Sequence, residues 1–184
     1  MGTRHLITAF DNEGELKVAQ YGQWDGYPSG QGVDVLAWLR MTTRIDHHGK
    51  LVSPVLDGMK RTKFATDEEL NSIFSKYPEM NYVGTEDDKY FGLHYPNLAR
   101  DTGADILGVV AYSVGEVLLV DASDFAEDTL MCEGIYSVNY QSEYFTSIHN
   151  GTTVVFPLRE LPTNQEYLDA FEKAYAERSE MVGA

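Results

Sequence analysis

The chain opens on two short apolar stretches separated by a polar turn. Leu6 to Phe10 and Leu16 to Tyr21 are strand-like, and Asp11-Asn12-Glu13-Gly14 between them holds residues that tolerate positive φ, so a hairpin is predicted. From Val33 the period changes. Val33, Leu36, Ala37 and Arg40 share one helical face, and Trp38 and Met41 widen the apolar band. Asp34 lies in the first turn of that helix, where the dipole favours an acid. Ile45 to Lys50 reads as a connection, and Pro54 leaves residues 51–63 open between a short helix and a loop. Thr66-Asp67-Glu68-Glu69 has capping-box spacing. Leu70, Ile73, Phe74 and Tyr77 then mark an amphipathic helix that Pro78 ends.

Residues 79–96 hold Gly84, Gly92, Pro96 and the acidic run Glu86-Asp87-Asp88, and read as a long surface excursion. A helix is expected from near Asp101 or Thr102, with Ile106, Leu107, Val110 and Ala111 apolar. Strand signals follow. Val117 to Asp121 reads as a buried strand. Ile135 to Tyr140, Glu143 to Ile148 and Thr152 to Leu158 form a meander in which Asn150-Gly151 is a hairpin turn dipeptide. Thr163-Asn164-Gln165-Glu166 opens a last helix with Tyr167, Leu168, Phe171 and Tyr175 on its apolar side. A strand pair, central helices, a strand meander and a final helix give an α+β fold with a largely antiparallel sheet. The 184 residues suit a single domain spanning 1–184. A chain of this size buries roughly two thirds of its unfolded surface, so it needs neither metal nor disulfide to fold.

Charge narrows the partners. The net charge is −15, and residues 64–184 carry six Lys/Arg against twenty-two Asp/Glu. An acidic chain repels phosphate backbones, so direct nucleic acid binding is not expected. The same acidity leaves open a surface that docks on a basic partner. The longest apolar run, Ile106 to Val114, is too short to cross a bilayer. Met1-Gly2-Thr3-Arg4-His5 lacks the apolar run of a signal peptide, and Cys132 is the only cysteine, so a cytoplasmic location away from membranes is expected. Twelve tyrosines are compatible with a homo-oligomer interface and equally with an ordinary core.

The densest candidate chemistry lies in Gln20 to Gly32, where four glycines, one proline, three glutamines and three aromatics fall together. Close glycines let a backbone approach a ligand, glutamine amides read polar groups, and Trp24 and Tyr27 offer planar faces. The expected ligand-binding set is Arg4, Gln20, Gln23, Trp24, Asp25, Tyr27 and Gln31, with Arg4 brought near by the hairpin. Asp25 is also a candidate base, and Cys132 or Thr3 a candidate nucleophile. His5 reads as a residue packed at a strand end. Asp46-His47-His48 is similar to the DHH phosphoesterase triplet, but the other Asp/His blocks of those enzymes have no counterpart here, so no metal is expected. There is no Walker loop, dinucleotide fingerprint or nucleophile elbow, and no cofactor is expected.

Gly2-Thr3-Arg4-His5-Leu6, the segment Val18 to Pro28, Gly30-Gln31-Gly32, Leu98 to Ala104 and Cys132 to Tyr136 resemble signatures of a group of small uncharacterised proteins of bacteria, bacteriophages and fungi. The resemblance extends over most of the chain. It implies no activity, and it makes a phage source plausible. A hairpin leading into a polar loop and a helix also resembles N-terminal-nucleophile hydrolases, including glutamine amidotransferase domains. Those need a terminal Cys, Ser or Thr, whereas loss of Met1 here exposes Gly2. Three functions follow as expectations. The first is binding of a small polar ligand, of a nucleotide-derived or an amide-bearing kind, with sequestration of a host signalling nucleotide as one role in a phage. The second is hydrolysis of an amide or nucleotide. The third is an acidic protein that inhibits a basic host target.

Overall fold

The computed structural model describes residues 2–182. Its elements run β1 (His5–Phe10), β2 (Leu16–Gly22), α1 (Val33–Thr42), β3 (Arg44–Ile45), β4 (Leu51–Val52), α2 (Pro54–Met59), β5 (Thr62–Phe64), α3 (Asp67–Phe74), α4 (Glu86–His94), α5 (Ile106–Tyr112), β6 (Val117–Leu119), β7 (Gly134–Asn139), β8 (Tyr144–His149), β9 (Thr152–Pro157) and α6 (Asn164–Val182). A five-stranded sheet has the order β2-β1-β7-β8-β9. All its pairs are antiparallel except β1 with β7, which are parallel. Ala122 N–H donates to the Ala19 carbonyl at 3.1 Å, which draws the chain after β6 alongside β2. The fold is α+β with a mostly antiparallel sheet and an N-terminal hairpin.

Alternation of side chains across the pleat sets the inward face. Ile7 and Ala9 of β1, Tyr136 and Val138 of β7, Phe145 and Ser147 of β8 and Val154 of β9 are buried. Helices α1, α2, α5 and α6 contribute Leu36, Leu39, Met59, Leu107, Tyr167 and Phe171 to the same core. Tyr167 and Phe171 stand one turn apart on α6, and the Tyr167 hydroxyl meets that of Ser147 at 2.6 Å, so the buried polar atoms pair. The buried stripe of α1 is Val35, Leu36, Leu39 and Thr42. It is rotated from the expected one because Val33 and Ala37 lie at its margin and Arg40 reaches outward, donating to the Pro162 carbonyl at 3.0 Å. The capping boxes at Thr66 and at Thr163 both form.

Residues 79–96 are not a featureless excursion, for they contain α4. Its Thr85 cap accepts from Asp88 N–H at 3.1 Å. The acids expected to form a surface cluster sit in its first turn, where they complement the helix dipole. Asp87 accepts from Glu79 N–H and Asp88 from Gly84 N–H. Only Phe91 of α4 is buried, which explains the weak apolar signal. Phe91 joins Leu98 and Ala99, with Phe74 and Tyr77 against them, in a small cluster separate from the main core. Among the described residues no helix is long and apolar enough to cross a membrane.

Candidate functional site

The segment between β2 and α1 folds back over one end of the sheet. Gly26 N–H donates to the Thr3 carbonyl at 3.0 Å, and the buried Tyr136 hydroxyl donates to the Gly26 carbonyl at 2.7 Å. Farther along, Gln31 N–H reaches the Asp25 carbonyl at 2.9 Å and closes the turn at Pro28–Gly32. Asp25 has φ 56°, in the left-handed region that Asp tolerates better than most non-glycine residues. A Cβ on Gly22 would fall within the His5 imidazole, and one on Gly26 would meet the Thr3 and Arg4 carbonyls. Both glycines therefore let the loop lie directly on His5.

His5 is 1% exposed, and neither ring nitrogen has a hydrogen bond of normal geometry among the described residues, although the Thr3 backbone acts on the ring. Burial pushes its pKa from 6.5 down to about 4, with the Thr3 backbone and the Asp25 carboxylate opposing it. At neutral pH the ring is thus uncharged, with one N–H and one lone pair. It stands in the wall of a cavity of about 320 Å³ with Gln23, Trp24, Asp25, Gln31 and Arg100. Arg100 Nη2 donates to the Asn81 carbonyl at 2.7 Å. Its Nε is buried without a hydrogen-bond partner among the described residues, and Asp101 Oδ1 is 3.9 Å away. Burial raises the Asp101 pKa, Arg100 opposes that, and Asp88 adds to it.

A second cavity, of about 680 Å³, lies between β2 and the α3–α4 lobe. Tyr21, Phe74, Phe91, Leu98 and Val120 make it largely apolar, and Arg100 and Asp101 belong to the walls of both cavities. Each volume falls within the span of small-molecule sites.

The sequence-derived candidates separate in space. Gln23, Trp24, Asp25 and Gln31 come together on the smaller cavity. Gln20 lines the larger one, but its Nε2 donates to the Tyr21 and Ala99 carbonyls at 3.0 and 2.9 Å, tying β2 to the lobe. Arg4 and Tyr27 line neither cavity. The Arg4 carbonyl accepts from Glu133 and Gly134 N–H, and the Tyr27 ring packs 5.9 Å from that of His149. Thr3 is buried and lines neither cavity. Cys132 is half-buried, and burial, with Asp128 adding, pushes its thiol up to about 11, the reverse of an activated nucleophile. His47 and His48 sit on the β3–β4 turn with ring centroids 3.8 Å apart. No group of three or more His, Cys, Asp or Glu that could hold a metal occurs among the described residues.

Sequence reasoning missed His5, Arg100 and Asp101 as site residues. A histidine opening a strand carries no signal of its own, and Arg100-Asp101 is remote in sequence from the loop it faces. The glycines at 22 and 26 were the available hint, since they imply that something passes close to the backbone. Comparison with protein-family models, with curated proteins and with solved structures returns no match.

Proposed function

We propose that the protein binds a small polar molecule in the cleft bounded by the 22–31 loop, the start of β1 and Arg100-Asp101. The observation that carries this reading is His5. Buried polar groups are almost always hydrogen-bonded, and an imidazole left without a partner among the described residues in a cavity wall costs stability that a molecule bound in the cavity recovers. The loop supports it, because glycines, amides and a left-handed Asp25 are kept together at one wall. Nucleotide-derived compounds belong to the ligand class through their bases, and sequestration of such a molecule is the role a phage source suits.

Hydrolysis is the weaker reading. Its expected nucleophiles, Thr3 and Cys132, lie off both cavities. The acidic-inhibitor reading loses part of its motive too, since Asp87 and Asp88 serve the local backbone around α4.

Native purification followed by denaturation and mass spectrometry of released small molecules tests the proposal. A thermal-shift panel accompanies it, because a ligand at a hundred times its Kd adds about 2.7 kcal/mol of stability. A released or stabilising compound whose effect Trp24→Ala and Gln23→Ala reduce is the expected result. No released compound and no stabilising one would overturn it.

A further inference from the structure

We infer that the smaller cavity takes an uncharged planar group with hydrogen-bond donor and acceptor side by side, of nucleobase type, and disfavours phosphate. This rests on the binding reading above and narrows it. Charge is the first argument. Asp25 and Asp101 face one guanidinium, Arg100, in the smaller cavity, and Asp88 and Lys89 add one charge of each sign in the larger. The chain itself carries −15. A phosphorylated ligand meets net repulsion in such a cleft, and Arg100 Nη2 is already held by the Asn81 carbonyl.

Hydrogen-bond inventory is the second argument. The neutral His5 ring offers one donor and one acceptor, and the Gln23 amide offers both. Gln31 Oε1 accepts from Ala104 N–H at 2.7 Å, so the capacity left to that amide is chiefly as a donor, while Asp25 only accepts. An alkylammonium brings donors alone and leaves the imidazole and amide N–H groups without acceptors. A phosphate brings acceptors alone and leaves the imidazole lone pair and the carboxylates without donors. A heterocycle edge with both kinds answers each group. Trp24, 41% exposed in the same wall, supplies a planar face for stacking.

The test is calorimetric titration of the full chain at low ionic strength with adenosine, guanosine, cytidine and uridine, their 5′-triphosphates, and putrescine. At least one nucleoside is expected to bind, its triphosphate about tenfold or more weaker, and putrescine weaker still. His5→Leu and Gln23→Ala are each expected to weaken the nucleoside about tenfold, with Gln23→Ala leaving the ligand-free unfolding temperature unchanged. Tighter binding of a triphosphate or of putrescine would overturn the inference. So would nucleoside affinity that neither variant changes, or no nucleoside binding at about 1 mM. The mass spectrum of released molecules separates the two proposals: a co-purifying compound of another class overturns this one alone, whereas neither release nor stabilisation overturns both.

Discussion

His5 and His149 occupy the same level of the sheet, two strands apart. The register pairs His5 with Gly134 and Gly134 with His149, so the three residues stand in a row on the inward face. The loop from Gly22 to Gly32 crosses that row. It presses a bare glycine against His5, passes its Gly26 carbonyl over Gly134, and packs Tyr27 on His149. Burial lowers both imidazole pKa values. Their bonding differs. His149 Nδ1 meets the Tyr175 hydroxyl at 2.6 Å, and Nε2 lies 3.4 Å from Asn150 Nδ2. His5 has neither kind of partner among the described residues, and it alone of the two lines the polar cavity. One histidine is part of the packing of α6 on β8. The other is a cost to the fold, of the sort that sites carry and cores avoid.

Acid gives the largest contrast. His5 has a folded pKa near 4 against an ordinary 6.5, so the unfolded chain binds the proton first as pH falls. Stability from this residue is present above pH 6.5 and is lost down to about pH 4, for a total of about 3 kcal/mol. Urea unfolding across that range checks it, and His5→Leu should flatten the slope more than His149→Leu does. An unchanged slope in His5→Leu would break the comparison.

Next come the substitutions themselves at neutral pH. His149→Leu leaves the Tyr175 hydroxyl without its partner and is expected to cost about 1–3 kcal/mol in chemical denaturation. His5→Leu removes an unpaired buried polar group, so its ligand-free stability should stay within about 0.5 kcal/mol of wild type or exceed it. Opposite behaviour of the two would remove the distinction. Gly22→Ala tests the close approach, since its Cβ would displace the imidazole or the loop at about 1–3 kcal/mol. Smallest is Asp25→Asn. Asn accepts the left-handed backbone, so stability should move by less than about 0.5 kcal/mol while affinity for the ligand falls.

Most of the fold was legible from the chain. Short strand-like stretches around turn residues marked β1, β2 and the β7–β9 meander, and capping boxes located the starts of α3 and α6. The parallel pairing of β1 with β7 was not legible. It joins strands more than a hundred residues apart, and local pattern carries no record of a distant neighbour. Helix α4 was lost because a helix with one buried side chain shows almost no apolar period.

The site divides along the same line. Gln23, Trp24, Asp25 and Gln31 stood out because a run of glycines, amides and aromatics is too irregular for a helix or strand. Tyr27 belonged to that run by composition and Arg4 was expected beside it through the hairpin, yet neither lines the cavity, since side-chain direction follows from backbone path. Composition and periodicity by themselves determined the hairpin, the meander, most of the longer helices, the acidity and the constrained loop, all of which are local properties. Only the tertiary structure decided that His5 is buried under Gly22 without a hydrogen bond of normal geometry among the described residues, and that Arg100 and Asp101 complete its cavity. Burial and hydrogen-bond pairing are set by what the rest of the chain brings to a residue, and no residue carries that information alone.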